Sequence, residues 1–264
     1  MIDWKKEAKE IAAWIRDYTE KAGRTTLVLG VSGGIDSAVV AGLCWLTNLR
    51  TIFVLMPEMV SNPSYDRAAE VADTFWSEST VSPTSFIHEI HEIINFYEKK
   101  GFGNTKLTRG NLAARIRANI LYDYAGQYNG LVVGTTNLSE MLIGYFTKGG
   151  DGLCDLEPIA KYWKSEVYKL GEALGVPESV MKAVSTADLW EGQTDEDEMG
   201  VTYDMIEKTI SRPGGTELYP KEFAIIDRMH NSTRHKRLPP PQFERRFRTN
   251  MVIQDPSEII SKEN

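Results

Sequence analysis

The sequence predicts an α/β protein, a parallel sheet with helices on both faces followed by a mainly helical C-terminal third. Two observations carry this. Short apolar runs alternate with amphipathic stretches up to residue 134, with turn residues between them. A glycine-rich hexapeptide, Ser32-Gly33-Gly34-Ile35-Asp36-Ser37, leaves one apolar run and opens another, which reads as strand, tight turn and helix.

Residues 3–22 set Ile11, Trp14, Ile15 and Tyr18 at helical spacing and predict an amphipathic first helix. A strand over 25–31 and a helix over 36–47 flank the hexapeptide. The run Thr51 to Met56 reads as a buried strand stopped by Pro57. A helix over 64–77 precedes a third strand, Ser85 to Ile90. Leu112, Ile116, Ile120 and Tyr124 share one face of a long helix over 109–128, and Gly130 to Gly134 forms a fourth strand. The last third predicts helices over 163–174, 178–184, 201–209 and 219–230. Two segments read as loops of the kind that closes over a substrate, the acidic run 192–198 and the Pro/Gly connector 211–216. Residues 1–264 read as a single domain.

Composition narrows the function classes. The net charge of −7 argues against a general nucleic-acid coat, although basic residues cluster at Arg234-His235-Lys236-Arg237 and again at Arg245, Arg246 and Arg248. No apolar run has membrane-spanning length, and the charged start Met1 to Glu7 has no signal-peptide core. Cys44 and Cys154 are the only cysteines, too few for a disulfide framework or a zinc site. A cytoplasmic location is expected.

The hexapeptide aims backbone N–H groups at a helix N-terminus, where an anion binds. Gly33 and Gly34 are expected to let the backbone approach that ligand, and Ser32 and Ser37 add hydroxyl donors. A carboxylate at Asp36 repels a phosphate unless a cation bridges them, which points to Mg²⁺. No Gly-Lys-Ser/Thr follows, and the glycines are adjacent, so neither the Walker loop nor the dinucleotide fingerprint applies. The second stretch, Gly134-Thr135-Thr136-Asn137-Leu138-Ser139-Glu140, leaves the fourth strand and enters a helix capped by Thr135 or Asn137. Glu140 then stands one turn in, either as a surface glutamate or as a second Mg²⁺ ligand. Both stretches follow strand ends, where ligands of parallel sheets bind, and are expected to meet in one cleft. Gly144 to Gly152 suits a loop lying flat against a ring, with Lys148 and Asp151 offering opposite charges; an ordinary surface turn is the alternative.

The pattern S-G-G-x-D-S resembles the pyrophosphate loop of ATP pyrophosphatases. Taken in order, SGGIDS, GTTNLSE, GYFTKGGDG, STADLWEGQTDEDEMG and RHKR resemble the ammonia-dependent NAD synthetases over most of the chain. The resemblance implies a Rossmann-like sheet of the adenine-nucleotide α-hydrolase type and an intertwined homodimer. It implies amidation of deamido-NAD by ATP and ammonia, giving NAD, AMP and pyrophosphate. It gives ATP contacts to Ser32, Gly33, Gly34, Ile35, Asp36, Ser37, Arg117, Thr135, Lys164 and Thr186. Asp36 and Glu140 would hold Mg²⁺. Tyr145, Lys148, Asp151 and Asp155 would line the deamido-NAD pocket, with His235 and Lys236 closing over phosphates. Asp36, Lys164 and Asp151 are the residues expected to act in catalysis, Asp151 as base for ammonium. Glutamine-dependent relatives carry a nitrilase-like amidase domain with a cysteine nucleophile. Here the synthetase pattern begins with the first strand and neither cysteine has a catalytic setting, so no such domain is expected and free ammonia is the expected donor. Two other readings stay open at this point. A tRNA-modifying or GMP-synthetase-like ATP pyrophosphatase is one, although the basic domain or CxxC pair expected of a tRNA enzyme is not seen. A non-enzymatic adenine-nucleotide-binding module is the other.

Overall fold

The computed structural model describes residues 2–58, 63–77, 84–186 and 194–243. Trp190, Gly192 and Gln193 of the acidic stretch, and Arg245, Arg246 and Arg248, lie outside them. The elements in order are α1 (Trp4–Lys21), β1 (Thr26–Gly30), α2 (Ile35–Leu46), β2 (Arg50–Leu55), α3 (Pro63–Ser77), β3 (Thr84–Ile87), α4 (His91–Lys99), α5 (Lys106–Gln127), β4 (Gly130–Val132), α6 (Leu138–Ile143), α7 (Lys164–Leu174), α8 (Glu178–Met181), α9 (Asp195–Met199), α10 (Tyr203–Ser211), α11 (Gly215–Leu218), α12 (Pro220–Ser232) and α13 (Arg234–Arg237).

The four strands are parallel, in the order β3-β2-β1-β4. Side chains alternate across this sheet with the strand period of two. Leu27, Leu29, Phe53, Leu55 and Leu131 pack against α1, α2 and α7, while Val28, Ile52, Val54 and Val132 face α4 and α5. Both faces are therefore covered, as a parallel sheet requires. From β1 the chain runs outward to β2 and β3, then returns to the other side of β1 as β4. That reversal opens a crevice at the carboxyl ends of β1 and β4, and SGGIDS and GTTNLSE both lie there. A third cluster, Ile143, Met199, Val201, Tyr203, Ile206 and Ile226, packs α6, α9, α10 and α12 together beyond the sheet edge.

Several expectations need correction. Asp3 caps α1, accepting from the Lys5 and Lys6 N–H groups, and Ile11 and Ile15 are buried, but Trp14 and Tyr18 stack on each other on the exposed side. The third strand stops at Ile87; His88 and Ile90 still donate to Leu55 and Pro57 carbonyls, and Ile90 is fully buried. Helix α4 escaped the sequence because Ile94 is its only buried residue. The acidic run is not a solvated loop throughout: from Asp195 it forms α9, capped by Thr194, with Asp195 buried. The Pro/Gly connector contains α11. No described helix is long and apolar enough to cross a membrane.

Gly33 has a packing role that the sequence did not show. Its φ is +82°, and a Cβ there would lie 2.1 Å from the Ser64 carbonyl oxygen on α3. It lets the turn pack closely against α3. Gly34 has an ordinary φ of −89°, and its nearest neighbour to a Cβ is Ser32 Oγ at 3.4 Å. Gly33→Ala is therefore expected to destabilise the protein by about 1–3 kcal/mol, the scale of a strained backbone position. Gly34→Ala is expected to leave thermal stability close to wild type. Equal melting temperatures for the two variants would contradict the packing role of Gly33.

Candidate active site

The turn after β1 is organised by its two serines. Ser37 Oγ donates to the Gly34 carbonyl at 3.0 Å and lies 3.0 Å from Ser32 Oγ. One hydroxyl proton serves each bond, so Ser32 donates to Ser37. The Ser32 N–H donates to Ser37 Oγ at 3.2 Å, and Arg67 Nε on α3 holds the Gly33 carbonyl at 3.1 Å. Gly34 is the N-cap of α2 and supplies no side-chain acceptor. The first N–H groups of α2 are thus left for an anion.

Across the crevice, α6 is capped by Asn137, not Thr135. Asn137 Oδ1 accepts the Glu140 N–H at 3.1 Å, and Glu140 Oε2 accepts the Asn137 N–H at 3.2 Å, a capping box. The fully buried Asn137 side chain also donates from Nδ2 to Asp36 Oδ1 at 2.9 Å, tying α6 to α2. Lys164, first residue of α7, completes the group. Its Nζ lies 2.5 Å from Asp36 Oδ2 and 3.4 Å from Glu140 Oε1, with 6% of the side chain exposed. Asp36, Glu140 and Lys164 thus lie in one cluster, with Asn137 as its clasp.

The cluster extends to Tyr203 and Asp195, which the sequence did not single out, and through them to Tyr145 and Thr186, which it did. Tyr203 on α10 puts its hydroxyl 2.9 Å from Glu140 Oε1 and 2.9 Å from Asp195 Oδ2, and its ring lies 4.6 Å from Lys164 Nζ. Tyr145 donates to Glu198 Oε2 at 2.7 Å and has Asp195 Oδ1 at 3.4 Å. The Asp195 N–H donates to the Ser185 carbonyl, which sets Thr186 beside this end of α9. A lysine opening a helix, against the dipole preference, was the one local sign that something anionic faces Lys164.

Three carboxylates, Asp36, Glu140 and Asp195, face one ammonium. Burial, and then the Asp36 charge, push the Glu140 carboxyl up to about 8. Burial also raises Asp195. Burial works against the Lys164 charge, but Asp36 and Glu140 outweigh it and hold its pKa above the ordinary lysine value. The centre carries more acid than its lysine balances. Among the described residues no group of three or more His, Cys, Asp or Glu side chains is arranged to hold a metal.

The other expected residues are placed less uniformly. Arg117 on α5 donates from Nε to the Met56 carbonyl at the end of β2. Thr135 is half-buried on the loop after β4. Lys148 and Asp151 do not pair: Lys148 Nζ donates to the His235 carbonyl at 2.8 Å, and Asp151 Oδ1 accepts the Thr147 N–H at 2.9 Å. Asp155 is a strand plug, accepting the Val132 N–H at 2.7 Å and the Tyr122 hydroxyl at 3.3 Å. Lys236 Nζ donates to the Gly144 and Phe146 carbonyls at 2.8 and 2.7 Å and sits over the Phe146 ring. His230 Nδ1 donates to the Leu142 carbonyl and Thr233 Oγ1 to that of Ile143, so the C-terminal helices grip 142–146 by its backbone. Behind the loop, Glu157 accepts from Thr136 N–H and from the Cys154 thiol, filling the space that a side chain at Gly134 would need.

An uncapped helix start and a carboxylate–lysine cluster at the switch point of a parallel sheet define an α/β enzyme that handles a nucleotide's phosphates. The NAD synthase family model matches residues 7–240. The NH3-dependent NAD synthetase of Alkaliphilus metalliredigens is 41% identical over 241 residues, covering 89% of this chain and 96% of that protein. That of Archaeoglobus fulgidus is 38% identical over 91% and 97% of the two chains. Among solved structures, an NMN synthetase from Francisella tularensis superposes with a TM-score of 0.79 at 33% identity, over 92% of this chain and 100% of that one. The NH3-dependent NAD synthetase of Campylobacter jejuni does so at 0.77 and 31%, with the same coverage. The chain belongs to the NAD synthase family, whose enzymes form a carbon–nitrogen bond.

Glu157 offers a pH test of the packing behind the site. Burial raises its carboxyl from 4.5 to about 7. The folded state then keeps a proton that the unfolded chain releases, so stability falls as pH rises from about 4.5 to about 7. Glu157→Gln is expected to stabilise the protein more at pH 8 than at pH 5, by on the order of 1–2 kcal/mol. Parallel pH dependences of unfolding for the two proteins would refute this.

Proposed function

We propose that the protein amidates deamido-NAD with ammonia at the expense of ATP, giving NAD, AMP and pyrophosphate. The observation that carries the reading is Lys164 Nζ held between Asp36 and Glu140 at the open end of α2. The names of the Alkaliphilus and Campylobacter relatives support the product and the nitrogen source.

A carboxylate does not react with ammonia directly, because oxide is too poor a leaving group. Transfer of AMP to the nicotinate carboxylate replaces oxide by a phosphate ester. The approach of carboxylate to α-phosphate brings two anions together. In this reading the α2 N–H groups, with Ser32, Gly33, Gly34, Ile35 and Ser37, hold the departing pyrophosphate. Lys164 shares its charge between its carboxylates and the nucleotide phosphates, with Thr135, Thr186 and Arg117 on the rest of ATP. Asp36 and Glu140 would hold Mg²⁺. Two carboxyl groups with hard oxygen donors suit an ion that draws its remaining ligands from phosphates and water. Bound there, Mg²⁺ neutralises phosphate charge. Tyr145, Lys148, Asp155, His235 and Lys236 frame the acceptor. Asp151 takes the proton of ammonium, and the resulting ammonia displaces AMP from the acyl group. No covalent enzyme intermediate is required, so the chain contributes positioning and electrostatics.

We further infer a single synthetase domain over the residues of this chain, a cytoplasmic enzyme that binds neither nucleic acid nor membrane, and a homodimer. An exposed apolar patch on and beside α4 and α5, made by Ile93, Phe96, Tyr97, Phe102 and Leu107, supports the dimer.

The test is pyrophosphate release and NAD formation from ATP, Mg²⁺ and deamido-NAD, with ammonium or glutamine as donor. NAD with ammonium but not glutamine is expected. Pyrophosphate without NAD would move the acceptor elsewhere, and the likeness to the Francisella NMN synthetase makes nicotinate mononucleotide the acceptor to run in parallel. No pyrophosphate under any condition would refute the reading. Asp36→Ala and Glu140→Ala are each expected to lower turnover roughly 100-fold or more, the scale of a lost preorganised electrostatic group. Near-normal rates in both at saturating Mg²⁺ would remove the metal assignment.

A further inference from the structure

We propose that Tyr203 is a positioning residue for the ATP and Mg²⁺ site, holding Glu140 and Lys164 from outside the sheet. The inference rests on the Mg²⁺–ATP part of the proposed function. Tyr203 is 7% exposed and belongs to the third apolar cluster, so its ring is fixed by packing. Its hydroxyl lies equally close, at 2.9 Å, to Glu140 Oε1 and Asp195 Oδ2. A phenol has one proton, so it donates to one carboxylate at a time. Asp195 therefore gives the hydroxyl a second acceptor whenever Glu140 turns its oxygen elsewhere. The ring face meets Lys164 Nζ at 4.6 Å, close enough for a cation–π contact in a largely dry site.

Glu140 has few other restraints. Oε2 is engaged by the Asn137 N–H and Oε1 by Lys164 at 3.4 Å, a long contact. Tyr203 makes the shorter contact to Oε1 and fixes the plane of the carboxyl group. Asp195 is anchored in turn by its N–H on the Ser185 carbonyl. The geometry of Glu140 thus depends on α9 and α10, which bring no residue of the sheet to the site.

Tyr203→Phe keeps the ring over Lys164 and removes only the hydroxyl. Calorimetric titration with Mg²⁺ and α,β-methylene ATP reads the site without turnover. The expected result is a roughly tenfold weaker affinity, the scale of a hydrogen bond to a charged group. The melting temperature should stay near wild type and KM for ammonium should not change. In a Glu140→Gln background the Tyr203→Phe effect should disappear, because the hydroxyl acts through Glu140. Unchanged affinity in Tyr203→Phe, or the same loss in the Glu140→Gln background, would overturn the proposal. Should Tyr203→Phe alone not fold, Glu140→Gln and the double variant still decide: equal affinities support the role, and a further loss overturns it. Wild-type protein that binds Mg²⁺ and the analogue but makes no NAD refutes the proposed reaction, and the binding comparison still judges Tyr203. Wild-type protein that binds neither refutes both.

Discussion

A lysine buried at the first position of a helix, facing two carboxylates, is the constraint around which the rest is arranged. An unpaired charge at that depth would cost several kcal/mol. Its partners come from different elements: Asp36 from α2, Glu140 from α6, Lys164 from α7. Three helix N-termini therefore converge on one point at the end of β1. Their dipoles favour the carboxylates and disfavour the lysine, so the lysine is held by the acids and not by its own helix. Parallel β1 and β4 bring α2 and α6 together, and the Asn137 amide to Asp36 locks them.

The C-terminal helices make the arrangement more than a sheet with loops. The apolar residues of α9, α10 and α12 pack on Ile143 of α6, not on the strands. Tyr203 and Asp195 arrive by that route, as do His230, Thr233 and Lys236 on the carbonyls of 142–146. The helix bearing Glu140 is thus gripped at both ends, by its capping box at the start and by side chains of α12 and α13 at the finish.

What the sequence made legible follows from range. The strand–turn–helix around SGGIDS is local, and its glycines and period mark it. The convergence of Asp36, Glu140 and Lys164 followed from parallel strands and from the family resemblance. Tyr203 and Asp195 were not legible. A tyrosine in an amphipathic helix reads as core, and an aspartate in an acidic run reads as solvated; only tertiary packing puts the two together. The packing role of Gly33 was not legible either, because the carbonyl of Ser64 that forbids a side chain there is contributed by another helix. Asp155, given a ligand role by resemblance, also accepts the Val132 N–H of β4, a bond the sequence did not foretell.

The grip on 142–146 has a further meaning. His230, Thr233 and Lys236 bind main-chain oxygens, which every amino acid supplies alike. These three holds therefore place no demand on the side chains of the stretch, whereas the left-handed Gly144, against Thr233, and the buried Ile143 are fixed by other contacts. The path of the stretch is thus secured at its carbonyls from one side, and Tyr145 is tied separately, through its hydroxyl to Glu198 on α9.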